Sequence, residues 1–293
     1  MANVGFARRS LGRLIPTIVL VAAAIFFIAP LLSSARFALQ NVQVFQLGKS
    51  NLFDKWSLSE VTKAFHEPGF KPTLYLSLRL ALGTVLLTLG LLIPTALLVH
   101  VKLAKARPAI EFLTLLPYMV PPITLVAGVI GFIRPNARWF VASNYALIPF
   151  YAILALPFTY RSIDAGIRAI DVRTLIDASR SLGAGWGTTL RRALLPNLRS
   201  AVISSSFLTA TVVLGELTMA QVLLKRTFPQ FLAEYGRKEG RGGVALALLT
   251  LVATTVLLAL LTIVTRRKNA ATGAGGITET LTSGPTTVPR ARA

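Results

Sequence analysis

The sequence predicts an all-α, polytopic membrane protein with six transmembrane helices. Three observations carry that expectation. The 293 residues are 54% hydrophobic and only 14% charged, where a soluble domain carries roughly a quarter charged residues. Mean hydropathy is +0.65. The apolar residues gather into six runs, 17–35, 73–101, 110–133, 143–160, 201–224 and 244–265, each near the roughly 20 residues a helix needs to cross hydrocarbon.

Taken in order, segment 1–16 carries Arg8, Arg9 and Arg13 ahead of the first run, a pattern shared with secretory leaders. The length of that run and the five that follow it favour an uncleaved first span. The loop 36–72 contains DKWSLSEVTKAFHEPGF, in which Trp56, Leu58, Val61 and Phe65 recur at helical spacing. It predicts a short amphipathic helix stopped at Pro68-Gly69, lying on the membrane interface or serving as a platform for an outside partner. In the same loop Gly48-Lys49-Ser50 imitates the end of a P-loop, but Gln43 stands where that motif requires glycine.

The third run is interrupted by Pro117, Pro121 and Pro122, which a spanning helix tolerates when neighbours satisfy the freed carbonyls. The fourth is short and holds Pro149 and Pro157, so a tilted or partly re-entrant span is expected there. Segment 225–243 reads as one short helix and then a flexible glycine turn. The Thr-, Gly-, Ala- and Pro-rich segment 267–293 reads as a disordered tail. The expected organisation is an N-terminal segment 1–16, a membrane domain 17–266 and that tail.

The net charge of +20 would point to nucleic acid in a soluble chain. Here the positive-inside rule accounts for it better, and no nucleic-acid partner is expected. The short loop 102–107 has Lys102, Lys105 and Arg107 without an acid, and loop 161–199 is rich in arginine. Both place the termini on the cytoplasmic side, where basic loops also attract anionic lipid head groups. The absence of cysteine excludes disulfides, zinc–thiolate sites and thiol catalysis.

Loop 161–199 departs most from the apolar pattern. Val172, Leu175, Ile176, Ser179 and Leu182 share one helical face, with Arg173 and Arg180 opposite. Gly183 and Gly185 are expected to end that helix, because glycine accepts the left-handed conformation a C-cap needs. A second amphipathic helix, WGTTLRRALLP, then leads back toward the membrane near Asn197. So short a helix is unstable alone and must dock on the membrane, on its own chain or on another protein.

The register of this loop resembles the "EAA" signature of permease subunits of binding-protein-dependent ABC importers. Asp177-Ala178-Ser179, Gly183 and Leu195-Pro196 fall at its offsets, with Asp177 for Glu, Ser179 for Ala and Ala193 for Ile as departures. The resemblance covers roughly residues 15–266. It implies the importer-permease fold, with this loop as a cytoplasmic coupling helix seated in a groove of a separate ATPase. It also implies the partners: a cytoplasmic ABC ATPase dimer, a second permease subunit (homologous or identical), an extracytoplasmic solute-binding protein and the lipids of a prokaryotic plasma membrane. ATP would bind the partner, leaving this chain without cofactor or enzymatic activity of its own.

Ionisable residues inside spans are functional candidates by default. Arg79 lies in the second run and Glu216 in the fifth; both are expected in the outer third of the bilayer, paired with each other, facing a polar cavity, or snorkelling separately. Gly215-Glu216 and LPYMVPPITLVAGV resemble features of the spermidine/putrescine-type branch of these permeases. The translocation-path candidates are therefore Arg79, Pro121, Pro122, Gly215 and Glu216, and a polyamine-like substrate is one expectation. Iron(III), phosphonate, sulfate, molybdate and thiamine are alternatives within that branch. His66 and His100 show no metal-ligand spacing. Asp164 and Asp171 are expected to balance the loop's arginines, and Trp139 and Tyr145 to anchor an interface. The rival functions are an ATP-independent channel or secondary transporter and a membrane-embedded lipid enzyme; the latter requires clustered acids or histidines that the sequence lacks.

Overall fold

A computed structural model describes residues 3–40, 55–133, 135–256 and 259. Gly48-Lys49-Ser50, the end of the sixth apolar run and the tail 267–293 lie outside the described residues. Contacts divide the chain into two units, Met1–Leu246 and Ala247–Ala293. Among the described residues there is no strand, only an isolated bridge between Gln40 and Trp56.

The first helix, α1, spans Asn3–Leu39, so helical structure begins well before the apolar run. Its Pro16–Leu39 stretch is long and apolar enough to cross a membrane, and its most apolar part is unburied by the rest of the chain, as expected of a span that faces lipid, while Ala38 near its end is buried. A short α2, Ser59–His66, follows. Trp56 and Leu58, just before α2, and Phe65 within it are exposed, and Ala64 is buried. The small side chain faces the rest of the chain and the large apolar ones face outward, where an interface or a partner is expected.

Helix α3, Phe70–Val101, is the axis of the fold, and three apolar clusters lie along it. At its start Phe70 packs with Phe228, Phe231 and Tyr235; at its middle Leu80 and Ala81 meet Val126, Leu147 and Val213. At its end Leu92, Ala96 and Leu97 meet Ile163, Ile167, Val172 and Ile176. Each buried aliphatic side chain of such clusters contributes roughly 1.5–3 kcal/mol where the surroundings exclude water. Helix α7, Leu147–Arg168, and α11, Arg199–Gly215, complete the bundle against α3. The fourth span thus runs on to Arg168, beyond the expected end at 160. Between α7 and α11, Thr159 and Thr209 share a buried hydrogen bond of 2.7 Å, and Gly166 lies so close to Ala201 that a side-chain methyl would overlap it. Small residues and hydroxyl bridges are the usual adhesive between helices in lipid.

Two expected spans are broken. The third separates into α4, Arg107–Met119, and α5, Pro122–Ile133, with a 93° bend between them. Pro121 and Pro122 explain it: neither offers an amide to continue the α4 ladder, and Pro122 is suited to a first helical turn. The fifth ends at Gly215; after extended Glu216 a short α12, Thr218–Val222, begins. Among the described residues three helices are long enough to span alone, or up to five if each bent pair, 104–133 and 186–215, is one span. A further apolar helix, Gly240–Val256, begins at the expected sixth span.

Connecting these are α6, Arg138–Ala142, α8, Val172–Ser181, α9, Trp186–Thr188, α10, Leu195–Asn197, and α13, Phe228–Lys238. The expected flexible glycine turn after α13 is replaced by a close helix approach. Only Glu239 separates α13 from the next helix, and a Cβ on Gly243 would collide with the Gly236 backbone. These glycines are there for proximity.

Candidate functional site

Helix α8 is short, yet both ends are chemically closed. At its start the Asp171 carboxylate accepts a hydrogen bond from the Thr174 amide at 3.2 Å and from the Thr174 hydroxyl at 2.7 Å, an N-cap that satisfies an otherwise orphaned donor. These bonds, with the neighbouring Arg173, hold the Asp171 carboxyl below its usual range. At its end Ala184 N donates to Ser179 O at 3.0 Å and Gly183 N to Arg180 O at 2.8 Å. Gly183 sits at φ +78°, completing a Schellman closure. Gly185 does otherwise than expected: its backbone is extended, and it precedes α9 as N-cap. Only one of the two glycines needs the left-handed region.

Val172 and Ile176 are buried in the cluster at the end of α3, beside Ile163, Ile167, Leu194 and Leu198. Leu175 and Ser179 are partly covered, whereas Leu182, expected on the same face, is 87% exposed. The α8 periodicity ends with the helix at Ser181, and the turn at Leu182 points its side chain away. Arg173, Asp177, Ala178 and Arg180 are all exposed. Helix α8 thus has one face fastened to its own chain and another, carrying Asp177, Ala178 and Leu182, open. Leu195 and Pro196 lie in α10, after a π-helical stretch Thr189–Leu194. The 186–197 segment then turns by 78° into α11.

A second constellation lies just behind α8, and no local pattern in the sequence assembles it. Asp164, on α7, is buried. Its carboxylate accepts from His100 Nε2 at 2.7 Å and from Arg107 at 2.7 Å, and it pairs with Arg168. One carboxylate therefore ties the end of α3, the start of α4 and the end of α7. The signal legible in the chain is the Asp164/Arg168 pair at i, i+4; His100 and Arg107 come from 64 and 57 residues away. Asp171, by contrast, serves as a cap.

The path candidates are divided. Arg79 is exposed and stacks over the Tyr75 ring at 4.2 Å. Glu216 is 8% exposed, and its carboxylate accepts from the Thr218 amide at 2.9 Å and from the Met219 amide at 2.9 and 3.1 Å. No ion pair joins Arg79 to Glu216: one is held by an aromatic ring, the other by the open N-terminus of α12, where negative charge is favourable. Gly215 and Glu216 form one helix break and Pro121 and Pro122 the other. The segments beyond them, α5 and α12, pack together in the middle cluster through Val126, Met219 and Ala220. Among the described residues no group of acids or histidines could hold a metal ion.

Residues 92–270 match the family of binding-protein-dependent transport system inner membrane components. That is more than half of the chain, and the chain belongs to this family. It is also 29% identical over 101 residues to the methionine import system permease protein MetP of Bacillus subtilis (strain 168). That match spans 34% of this chain and 45% of the relative. Among solved structures, a bacterial ABC transporter involved in the import of the acidic polysaccharide alginate superposes with a TM-score of 0.68 at 14% identity, covering 87% of this chain and 96% of that one. An amino acid ABC transporter gives 0.50 at 18% identity, over 71% and 97%. These two show a shared fold.

Proposed function

We propose that the chain is a permease subunit of an ATP-driven importer. It forms half of a translocation path with a second permease subunit, receives solute from an extracytoplasmic binding protein, and is driven by a separate ATPase pair. The observation that carries this reading is α8: a helix closed at both ends, rooted through Val172 and Ile176, with Asp177, Ala178 and Leu182 open. A lever needs that combination. Its root must transmit force to α3, α7 and α11, and its free face must fit a partner. The basic loops around it support a cytoplasmic placement of this face and of both termini. The three uninterrupted spans, the two bent pairs and the helix from Gly240 support six crossings.

The polyamine-like substrate rests on Glu216 as a free anion in the path. With its oxygens engaged by backbone amides, Glu216 acts first as the cap of α12, so the solute is better sought through the binding protein. Screening that protein against polyamines, amino acids, thiamine and oxyanions identifies the cargo.

Coupling is tested by co-expressing the chain with the ATPase encoded beside it. Wild type is expected to retain the ATPase through purification. Asp177→Lys is expected to release it without lowering the melting temperature, since Asp177 is exposed, and Gly183→Pro to release it by breaking the turn. Full retention by Asp177→Lys together with Leu182→Glu would remove α8 from the coupling role.

A further inference from the structure

Before the start of α7, at the opposite end from Asp164, lies a recess of about 810 Å3 lined by Pro135, Arg138, Val141, Leu224 and Lys225, among others. Lys225 is 9% exposed. Its ammonium donates to the Ala142 carbonyl at 2.6 Å, at the C-terminal end of α6, where a cation is favourable. One carbonyl uses one of three N–H donors, and no carboxylate pairs with Lys225 among the described residues. Arg138, at the other end of the five-residue α6, lines the same recess and is exposed. Among the described residues, the recess lining contains two cations and no acid.

The adjoining cavity makes a useful control. It measures about 650 Å3 and carries Glu67, Arg226, Glu234 and Lys238, with Arg226 and Glu234 paired at 3.3 Å. There, charge is met within the chain. The shared wall is Leu224, at φ +54° and 89% exposed. It stands at the left-handed position of a Schellman closure, with Lys225 N donating to Ala220 O at 2.9 Å and Leu224 N to Gln221 O at 3.1 Å. Glycine is the usual occupant of that position. A leucine keeps a side chain on the wall at the expense of backbone comfort, a feature that clusters at ligand sites.

We propose that this recess binds one oxyanion, a phosphate or carboxylate group, between Arg138 and Lys225. Such a site is independent of the importer function. A partly buried ammonium with no counter-charge among the described residues is unfavourable, and an anion seated there would supply one while Arg138 closes over from the rim. Two sources offer the same chemistry: the phosphodiester of an anionic lipid and a dissolved anion. Exposed Phe132 and Trp139 nearby are of the kind that sit at a lipid interface.

The test uses the full chain in nanodiscs. In one arm, phosphatidylcholine discs carry phosphatidylglycerol, and native mass spectrometry counts the phosphatidylglycerol retained. In the other, pure phosphatidylcholine discs are titrated with inorganic phosphate and with acetate, following the melting temperature. At least one probe is expected to saturate a single site on wild type, with at least tenfold weaker binding in Arg138→Gln and in Lys225→Gln. Because Lys225→Gln also removes the Ala142 contact, Arg138→Gln is the decisive variant: it lies on the rim and should melt as wild type does without probe. Response to phosphatidylglycerol alone assigns a lipid phosphate, and response to the soluble probes assigns a dissolved anion. Saturation by none of them, or unchanged binding in Arg138→Gln, overturns the proposal.

Discussion

The two ends of α7 hold buried charge in opposite ways. Near its C-terminal end the Asp164 carboxylate is met by His100, Arg107 and Arg168. Just before its N-terminal end the Lys225 ammonium meets a backbone carbonyl and, among the described residues, no carboxylate. The first arrangement is complete within the chain and fixes three helices to one another next to α8. The second is incomplete within the chain and borders a recess. A compensated buried charge reads as architecture, and an uncompensated one reads as a place for something to bind.

The largest effect is expected from Asp164→Ala. Removing the shared acceptor leaves Arg107 and His100 partly buried without it, which typically destabilises by about 3 kcal/mol or more. A lowered melting temperature of the purified protein in detergent is the expected result. A melting temperature equal to wild type would mean the cluster is not structural.

A smaller effect distinguishes the two Schellman turns. Gly183 and Leu224 both occupy the left-handed position, one with the residue suited to it and one without. Gly183→Ala meets open space around its new Cβ, so the change acts on the backbone alone and is expected to destabilise by about 1 kcal/mol. Leu224→Gly should stabilise by a similar amount, because the side chain lost is almost fully exposed. Opposite shifts in melting temperature support this contrast; a destabilised Leu224→Gly would show that the leucine side chain contributes packing that outweighs its backbone strain.

The smallest effect concerns pH at the start of α8. Thr174 holds the Asp171 carboxyl below its ordinary range, so its folded value is lower than its unfolded one. The cap's contribution is therefore complete above the ordinary carboxylate range, about pH 4, and is lost as pH falls through the lower, folded value. Hydrogen exchange of the Thr174 and Leu175 amides should accelerate only on acidification past that point. Asp171→Asn keeps an acceptor and has no charge to lose, and should flatten the dependence. An identical acid response in the variant would assign it to another group.

How far the chain is legible as a sequence follows from the range of each interaction. The Asp177, Gly183 and Leu195-Pro196 register, the buried face of α8 through Val172 and Ile176, and the capping turn at Gly183 are local patterns, visible within a few helical turns. Leu182 leaves its predicted face because periodicity assumes the helix continues, and this one ends a residue earlier. Glu216 reads in the sequence as a free intramembrane charge because nothing local announces the break after Gly215; once the helix opens, its amides claim the carboxylate. The glycines of 236–243 read as flexibility because sequence does not reveal that another backbone lies against them.

The residues alone made legible that the chain is helical, that its helices are apolar enough for lipid, and that a capped amphipathic helix falls between the fourth and fifth runs. Hydropathy, helical period and turn chemistry act over a few residues and leave their mark in order along the chain. Only in the fold do His100, Arg107 and Asp164 converge, the third run bend at Pro121-Pro122, the fifth open after Gly215, and Lys225 lie partly buried with no acid paired to it among the described residues. Those outcomes depend on which distant side chains arrive at the same place and what water they exclude, and no short stretch of sequence records that.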